Sequence, residues 1–295
     1  MLGYGHFMNK VKIITDSTVD LPKKYQEDLM IDVVPLHILW GNENFLDNVD
    51  ITPEEFYKRL SKLKDLPTTS QPSSQEFVDF FKKYLDYGQD ILGIFISAKL
   101  SGTVNSALQA KDILGTNNIE VIDSKFTTLG TGFQVISAAR ASLNGASLAE
   151  CKKTAGKIRQ STHIYFVVST LEFLRRGGRI GGASALLGSA LDIKPILMIK
   201  DGKIEALEKV RTMKKALGRI VELFENEMKN QKEIYVGFSQ ATAPENAQFL
   251  KTNLLENFSR DDFIEIIDAG LSPVIGVHAG PGALALSFAN EANTY

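Results

Sequence analysis

Cysteine is almost absent from this chain. Cys151 is the single cysteine among 295 residues, which excludes an internal disulfide and a cluster of thiolates around a metal. Apolar residues surround Cys151 at helical spacing, so we predict a buried, unreactive thiol on a helix face and not a nucleophile. Such low cysteine usage fits a reducing compartment, and we expect the cytoplasm.

Long hydrophobic runs and an excess of either charge are also missing. No apolar stretch reaches the ~18 residues that a membrane-spanning helix needs, and the first residues have no signal-peptide core. The 33 basic and 35 acidic residues leave a net charge of -2, which does not favour a DNA-binding regulator. No HExxH motif or carboxylate cluster has metal-ligand spacing, so we predict no metal and no cofactor.

The first half of the chain alternates between strand-like and helix-like segments. Val11–Thr18, Asp90–Ser97 and Ile119–Asp123 are apolar or β-rich runs of the buried-strand type. Thr52 with Glu55, and Ser73 with Glu76, have the spacing of capping boxes that begin helices. This alternation predicts an N-terminal α/β domain over residues 9–163, built on a parallel sheet.

The second half predicts a different sheet. Asp201 and Gly202 lie between two strand-like runs, which is a hairpin signal. Helix-like and strand-like segments then alternate again, so an antiparallel pair joins parallel units in a mixed sheet. We predict a C-terminal α/β domain over residues 164–290, and the length of the chain fits two lobes with a site between them.

Hydroxyl-bearing and glycine residues recur at predicted strand ends, where open α/β sheets bind ligands and free N–H groups receive anions. A further run, TTSQPSS (68–74), places hydroxyl and amide side chains around one proline. Each segment alone is also an ordinary cap or turn; their recurrence together favours an anionic headgroup as ligand. The strand-end segments are TDST (15–18), SAKLSGT (97–103), IDSKFTTLGTG (122–132) and VHAGPGA (277–283).

His278 and the arginines of LRRGGR are the ionisable candidates. His278 is predicted to follow an apolar strand, PVIGV. A carboxylate partner would favour its imidazolium form, whereas a structural role would bond it to a backbone carbonyl. Arg176 and Arg179 lie in a glycine-rich segment that matches neither a P-loop nor a dinucleotide fingerprint. One of them is a candidate to point inward and orient an anion.

A serine hydrolase is the alternative reading. VGFSQA places Ser239 between a strand and a helix, and Asp268 and His278 follow in the chain order of α/β-hydrolases. Ala241 replaces the last glycine of the nucleophile elbow, which argues against the tight turn that exposes the serine.

The motifs TDSTVDLP, TTSQPS, LSGTVNSA, IDS, LRRGGRI and HAGPGALAL occur in this order between Val11 and Phe288. Together they resemble the DegV family, the fatty-acid-binding subunits of bacterial fatty acid kinase. The resemblance implies a two-lobed DegV-like fold with a long-chain fatty acid, such as palmitate or oleate, between the lobes. It implies carboxylate contacts from Thr69, Ser101 and His278, with Ser70, Gly102 and Thr103 beside them and Arg176, Arg179, Ser124 and Gly280 in support.

The resemblance also implies a carrier and not an enzyme. Phosphorylation of a carboxylate requires an ATP cradle and a magnesium site, and the sequence has the motif of neither. A separate kinase would convert the bound acid to an acyl phosphate for phospholipid synthesis, with transient membrane contact. Chain-length preference, oligomeric state and the identity of the kinase do not follow from the motifs.

Overall fold

The computed structural model describes residues 10–62, 66–188 and 193–291. Residue 9, the predicted start of the first domain, lies outside the described residues. The elements are β1 (Val11–Asp16), α1 (Lys23–Asp28), β2 (Asp32–Val34), β3 (His37–Trp40), β4 (Glu43–Leu46), α2 (Pro53–Leu60), β5 (Thr68–Ser70), α3 (Ser74–Leu85), β6 (Asp90–Phe95), α4 (Thr103–Leu114), β7 (Ile119–Asp123), α5 (Thr128–Leu143), α6 (Leu148–Ser161), β8 (His163–Val167), α7 (Glu172–Arg176), β9 (Lys194–Lys200), β10 (Lys203–Val210), α8 (Met213–Met228), β11 (Ile234–Gln240), α9 (Pro244–Leu255), β12 (Phe263–Gly270), α10 (Pro273–Ala279) and β13 (Leu284–Asn290).

The first sheet is parallel, in the order β2-β1-β6-β7, as predicted. Alternate residues of β6 point to opposite faces, so both faces of the strand are apolar. Ile91 and Phe95 belong to the cluster that α3 and α4 cover. Leu92 and Ile94 belong to the cluster of α5 and α6, which also contains the buried Cys151. Burial raises the pKa of the Cys151 thiol to about 11, consistent with the predicted inert residue.

The second sheet is mixed, in the order β10-β9-β8-β13-β11-β12, and all its strands lie from His163 onward. The hairpin predicted at Asp201 and Gly202 joins β9 and β10, and both residues have positive φ, 50° and 82°. Such backbone angles are those that two-residue hairpin turns require. The predicted fold class is therefore confirmed, while the exact domain boundaries stay a prediction.

A third, antiparallel sheet, β4-β3-β5, was not predicted. Residues 68–70 of the TTSQPSS run form β5 and pair with β3, where Thr69 lies opposite Ile38. Ser73, the sixth residue of the run, is the N-cap of α3, and the predicted capping boxes at Thr52 and Ser73 are both present. The run is therefore a short edge strand and a helix cap, and the strand fixes the backbone of Thr69.

The segment PVIGV was predicted as a strand, and this prediction is wrong. It forms most of α10, which begins with Pro273 at its first position and Ser272 as N-cap. Ser272 Oγ accepts the Ile275 N–H at 3.4 Å. Periodicity does not separate a short buried helix from a buried strand, and the Ser-Pro pair, a helix-start signal, decides between them.

Among the described residues, every helix is either too short or too polar to cross a bilayer.

Candidate functional site

A largely apolar cleft lies between the first and second sheets. Its empty space is about 860 Å³, counting the part that is open to solvent. Aliphatic and aromatic side chains from both halves of the chain form most of its wall. They are Leu36, Ile96, Leu100, Ile164, Phe166, Leu174, Ile199, Ile204, Leu271, Val274, Ile275, Ala279, Ala283, Leu284 and Ala285.

Polar side chains from separate elements meet in the lining of this cleft. Thr69 on β5 and His278 on α10 are joined by a hydrogen bond of 2.8 Å between Oγ1 and Nε2. This bond links the third sheet to the helix that the second half contributes. Thr69, Ser101 and His278, far apart in sequence, therefore line one cavity together with Ser70.

Ser101 lies just before α4, at the carboxyl end of the first sheet. Its Oγ is 2.9 Å from Thr103 Oγ1, and the Thr103 side chain is buried. Gly102 is the N-cap of α4, and a Cβ at this position would lie 3.0 Å from the amide of Gln71. The absence of a side chain at Gly102 thus lets Gln71, another lining residue, approach the start of α4.

The two arginine candidates occupy different environments. Arg179 lines the apolar cleft, and its Nε donates to Leu100 O at 2.9 Å while its Nη1 donates to Gly177 O at 2.7 Å. Arg176 forms an exposed ion pair with Glu172 at 2.5 Å and does not line the cleft. Of the two, only Arg179 lines the same cleft as Thr69, Ser101 and His278.

His278 has no carboxylate partner among the described residues. Its Nε2 faces Thr69, and its buried Nδ1 has no hydrogen-bond partner in that part of the chain. Burial, and then the charge of Arg179, lower the pKa of His278 to about 4. The imidazole is therefore neutral near pH 7, and the carboxylate-paired imidazolium, one of the two alternatives that the sequence left open, is not found among the described residues.

A second cavity, more polar than the first, adjoins the same residues. It encloses about 980 Å³, again counting space open to solvent. Thr69, Arg179 and His278 line both cavities, so they stand at the boundary between an apolar space and a polar one. The remaining lining residues of the second cavity are Leu66, Pro67, Thr68, Arg176, Gly177 and Val277.

Ser124 and Gly280, like Arg176, are predicted supporting residues that do not line the cleft. Ser124 is fully buried, and its Oγ is 2.9 Å from Thr131 Oγ1. It therefore organises the turn before α5. Gly280 ends α10 with φ 73° and packs against Phe173. Ser97, the other serine of the SAKLSGT segment, is buried and donates to Gly202 O at 2.8 Å.

The sequence missed most of the apolar wall and two polar lining residues, Thr127 and Thr128. Thr128 has φ 48° and a buried Oγ1 without a partner in the described chain. A positive φ is an outlier for a β-branched residue, and no sequence pattern signals it. The sequence did identify the IDSKFTTLGTG segment, which contains both threonines, as a candidate ligand-binding strand end.

The hydrolase alternative is contradicted by geometry. Ser239 lies within β11, opposite Ala269 and Ala285, and is completely buried, whereas a nucleophile elbow exposes its serine at a strand-to-helix turn. Asp268 pairs with Lys251 at 2.5 Å, and His278 bonds to Thr69. None of the hydrogen bonds of a catalytic triad joins these side chains. No group of three metal-binding side chains occurs among the described residues either.

Comparisons with known proteins agree with this architecture. A family model described as an uncharacterised protein of the DegV family matches residues 10–291. A DegV domain-containing protein from Clostridium perfringens is 38% identical over 290 residues, which cover 95% of this chain and 99% of the relative.

Two solved structures are also similar. A DegV family protein from Thermus thermophilus, described by its fatty acid binding, has a TM-score of 0.90 and 34% identity over 95% of this chain and 99% of its own. DegV from Bacillus subtilis, described as a fatty acid binding protein, has a TM-score of 0.86 and 31% identity over 96% of this chain and 100% of its own.

Proposed function

The chain belongs to the DegV family, and from this premise we propose that it binds one long-chain fatty acid, such as palmitate or oleate, in the cleft between its two sheets. The observation that supports this most is the boundary formed by Thr69, Arg179 and His278. An acyl chain would lie in the apolar cleft, and its carboxylate would reach this boundary and the polar cavity beyond it.

The neutral histidine suggests how the carboxylate would be held. With its proton on Nε2, His278 donates to Thr69 Oγ1 across the 2.8 Å contact. The hydroxyl proton of Thr69 is then left to donate to the carboxylate, as is that of Ser101. Hydrogen bonds to a charged acceptor contribute ~1.5–3 kcal/mol each, and the positive charge of Arg179 adds to the attraction.

The acyl chain would supply most of the affinity. Burial of each methylene contributes ~0.8 kcal/mol, so a sixteen-carbon chain offers on the order of 10 kcal/mol before the entropy and desolvation costs of binding. The hydroxyl groups at the boundary then mainly fix the orientation, with the carboxylate toward the polar cavity.

We propose further that a partner kinase reaches the carboxylate through the polar cavity and phosphorylates it to an acyl phosphate for phospholipid synthesis. The family resemblance suggests this role, together with a carrier that has no catalysis of its own, a cytoplasmic location and transient contact with a membrane. The openness of the polar cavity beside Thr69 and His278 is compatible with it.

Bound lipid is the direct test of the proposed function. Organic extraction of the purified protein, followed by mass spectrometry, should release a long-chain fatty acid in amounts comparable to the protein. Delipidated protein should take up added palmitate or oleate, because the apolar cleft is a favourable environment for the chain. An empty extract together with no uptake of either acid would reject the proposal.

Loss of the headgroup hydroxyls should weaken binding more than folding. We expect Thr69→Ala with Ser101→Ala to lower palmitate affinity by about tenfold or more, since two charge-assisted hydrogen bonds are lost. The free energy of unfolding should change by about 1 kcal/mol, as both residues lie at the cavity surface. Calorimetric titration and urea denaturation measure the two quantities.

Thr116→Ala is the matched control, because it removes a hydroxyl from a half-buried loop residue that lines neither cavity. Its affinity for palmitate should equal that of the unchanged chain. Equal affinities in the double variant and the control would show that these hydroxyls do not bind the carboxylate.

A further inference from the structure

Two buried carboxylates from the first half of the chain hold the start of α10. Asp20 Oδ1 accepts the N–H of Ser272 at 2.9 Å, and Asp47 Oδ1 accepts the N–H of Val274 at 3.2 Å. The first N–H groups of a helix lack partners within the helix. Side chains that lie 252 and 227 residues away in sequence satisfy them here.

The helix held in this way forms a large part of the proposed binding site. Val274, Ile275, His278 and Ala279 all line the apolar cleft. Tyr57 Oη donates to Leu271 O at 3.3 Å just before the helix. A Cβ at Gly276 would lie 2.6 Å from the same hydroxyl, so α10 packs closely on α2. A shift at its N-terminus would therefore move the His278 side chain away from Thr69.

Each carboxylate has one oxygen that accepts from α10 and one that is unsatisfied. Asp20 Oδ2 and Asp47 Oδ2 are buried and have no hydrogen-bond partner among the described residues. The nearby Asp16 differs, because both its oxygens accept hydrogen bonds, from Thr18 and from Ile96. Unsatisfied buried carboxylate oxygens are costly, and a proton on one of the two groups would relieve this cost.

The charges around Asp20 and Asp47 also favour a protonated carboxyl group at this site. The groups that face the pair are Asp16, the hydroxyl of Tyr57, and Ser17 and Ser272, and no ion pair of the described chain includes Asp20 or Asp47. Two like charges in a buried site do not ionise together easily. The start of one short helix offers only about half a positive charge.

We propose that Asp20 and Asp47 are positioning residues that, while Asp47 is protonated, hold α10, and with it His278, in the geometry that binds the fatty acid headgroup. This role rests on the proposed function. When Asp47 loses its proton, it becomes a buried negative charge with no cation beside it. A state in which the start of α10 has moved away would hydrate this charge, so α10 loosens and the contact between His278 and Thr69 weakens.

The pH range follows from Asp47. Burial raises the pKa of Asp20 well above its usual value, so Asp47 is the first of the two to lose its proton. Burial raises the pKa of the Asp47 carboxyl from 3.8 to about 7. Between these two values the folded chain binds a proton that the unfolded chain has released. The free energy of unfolding therefore decreases as the pH rises from about 4 through about 7. Palmitate affinity should decrease over the upper part of the same range.

Asp47→Asn tests the proposal, because the amide keeps one oxygen acceptor for the N–H of Val274 and cannot ionise. Palmitate affinity of the unchanged chain should decrease by about threefold to tenfold between about pH 6 and pH 8.5, whereas that of the variant should stay constant. Asp50→Asn is the matched control, since Asp50 also accepts a backbone N–H, from Leu46 at 2.7 Å, but is exposed. It should keep the pH dependence of the unchanged chain.

The His278 ring provides a readout that needs no ligand. Its nitrogen resonances in isotope-labelled protein should change over the same pH range in the unchanged chain and not in Asp47→Asn. A scaffold role alone would change the melting temperature without altering either pH profile, and identical profiles in both chains would overturn the proposal. Failure of the unchanged chain to bind palmitate at any pH would reject the proposed function instead, while the His278 profile would still test the carboxylate pair.

Discussion

Palmitate should bind this protein at least about a thousandfold more tightly than octanoate. The two acids have the same carboxylate, so the boundary formed by Thr69, Arg179 and His278 treats them alike. They differ by eight methylenes, each contributing ~0.8 kcal/mol on burial, and every ~1.4 kcal/mol is a factor of ten in affinity. Titration calorimetry below the critical micelle concentrations, across a series of even-numbered acids, measures the increment for each methylene.

A substitution in the wall of the cleft tests whether the gain in affinity for each methylene comes from burial of the acyl chain there. Ile204→Ala should reduce the advantage of palmitate over octanoate, because Ile204 lines the cleft. Ile113→Ala is the control, as Ile113 is 62% exposed on α4, and it should leave the advantage unchanged. An affinity that does not depend on chain length would mean that the acyl chain stays outside the cleft, and the proposed binding mode would be wrong.

The parts of the fold that the sequence predicted are those in which local pattern and tertiary burial agree. The apolar run of β6 sends Ile91 and Leu92 to opposite faces, and helices cover both faces. A buried parallel strand therefore reads as a continuous apolar run. The hairpin at Asp201 and Gly202 was predictable for a local reason, since the turn needs positive φ at both positions.

The errors occurred where long-range contacts decide the structure. The segment that forms α10 is short and apolar, and its N–H groups bond to Asp20 and Asp47 from the other half of the chain. No local periodicity contains that information. The strand β5 is likewise defined by its pairing with β3, because a run of three residues is too short to show the alternation that identifies a strand from sequence.

The candidate site also has features that the sequence predicted and features that only the tertiary structure reveals. The order of the motifs identified Thr69, Ser101 and His278 as candidates, and in the fold all three line one cavity. The choice of Arg179 over Arg176 could not be made from sequence, because it depends on which side chain turns toward Leu100 O. The neutral state of His278 also depends on its burial, which lowers its pKa, and burial belongs to the tertiary structure.

Gly177→Ala should damage the site although it adds a single methyl group. The backbone at Gly177 has φ -72° and ψ -7°, which alanine adopts without strain. A Cβ there would lie 2.9 Å from His278 Cε1 and closer still to Nδ1. The imidazole must then move, and its bond to Thr69 is lost. We expect a loss of ~1–3 kcal/mol in the free energy of unfolding, and at least about a tenfold loss of palmitate affinity.

Gly156→Ala is the matched control for this substitution. Gly156 lies inside α6, and a Cβ at that position would meet no atom within 4 Å. Alanine there should raise the free energy of unfolding by up to ~1 kcal/mol, because glycine is unfavourable inside a helix, and it should leave palmitate affinity unchanged. Urea denaturation and calorimetric titration of both variants separate a steric effect on His278 from a general effect of the mutation. If Gly177→Ala bound palmitate as tightly as Gly156→Ala, the position of the His278 ring would not matter for the headgroup, and the contact between His278 and Thr69 would have no part in binding.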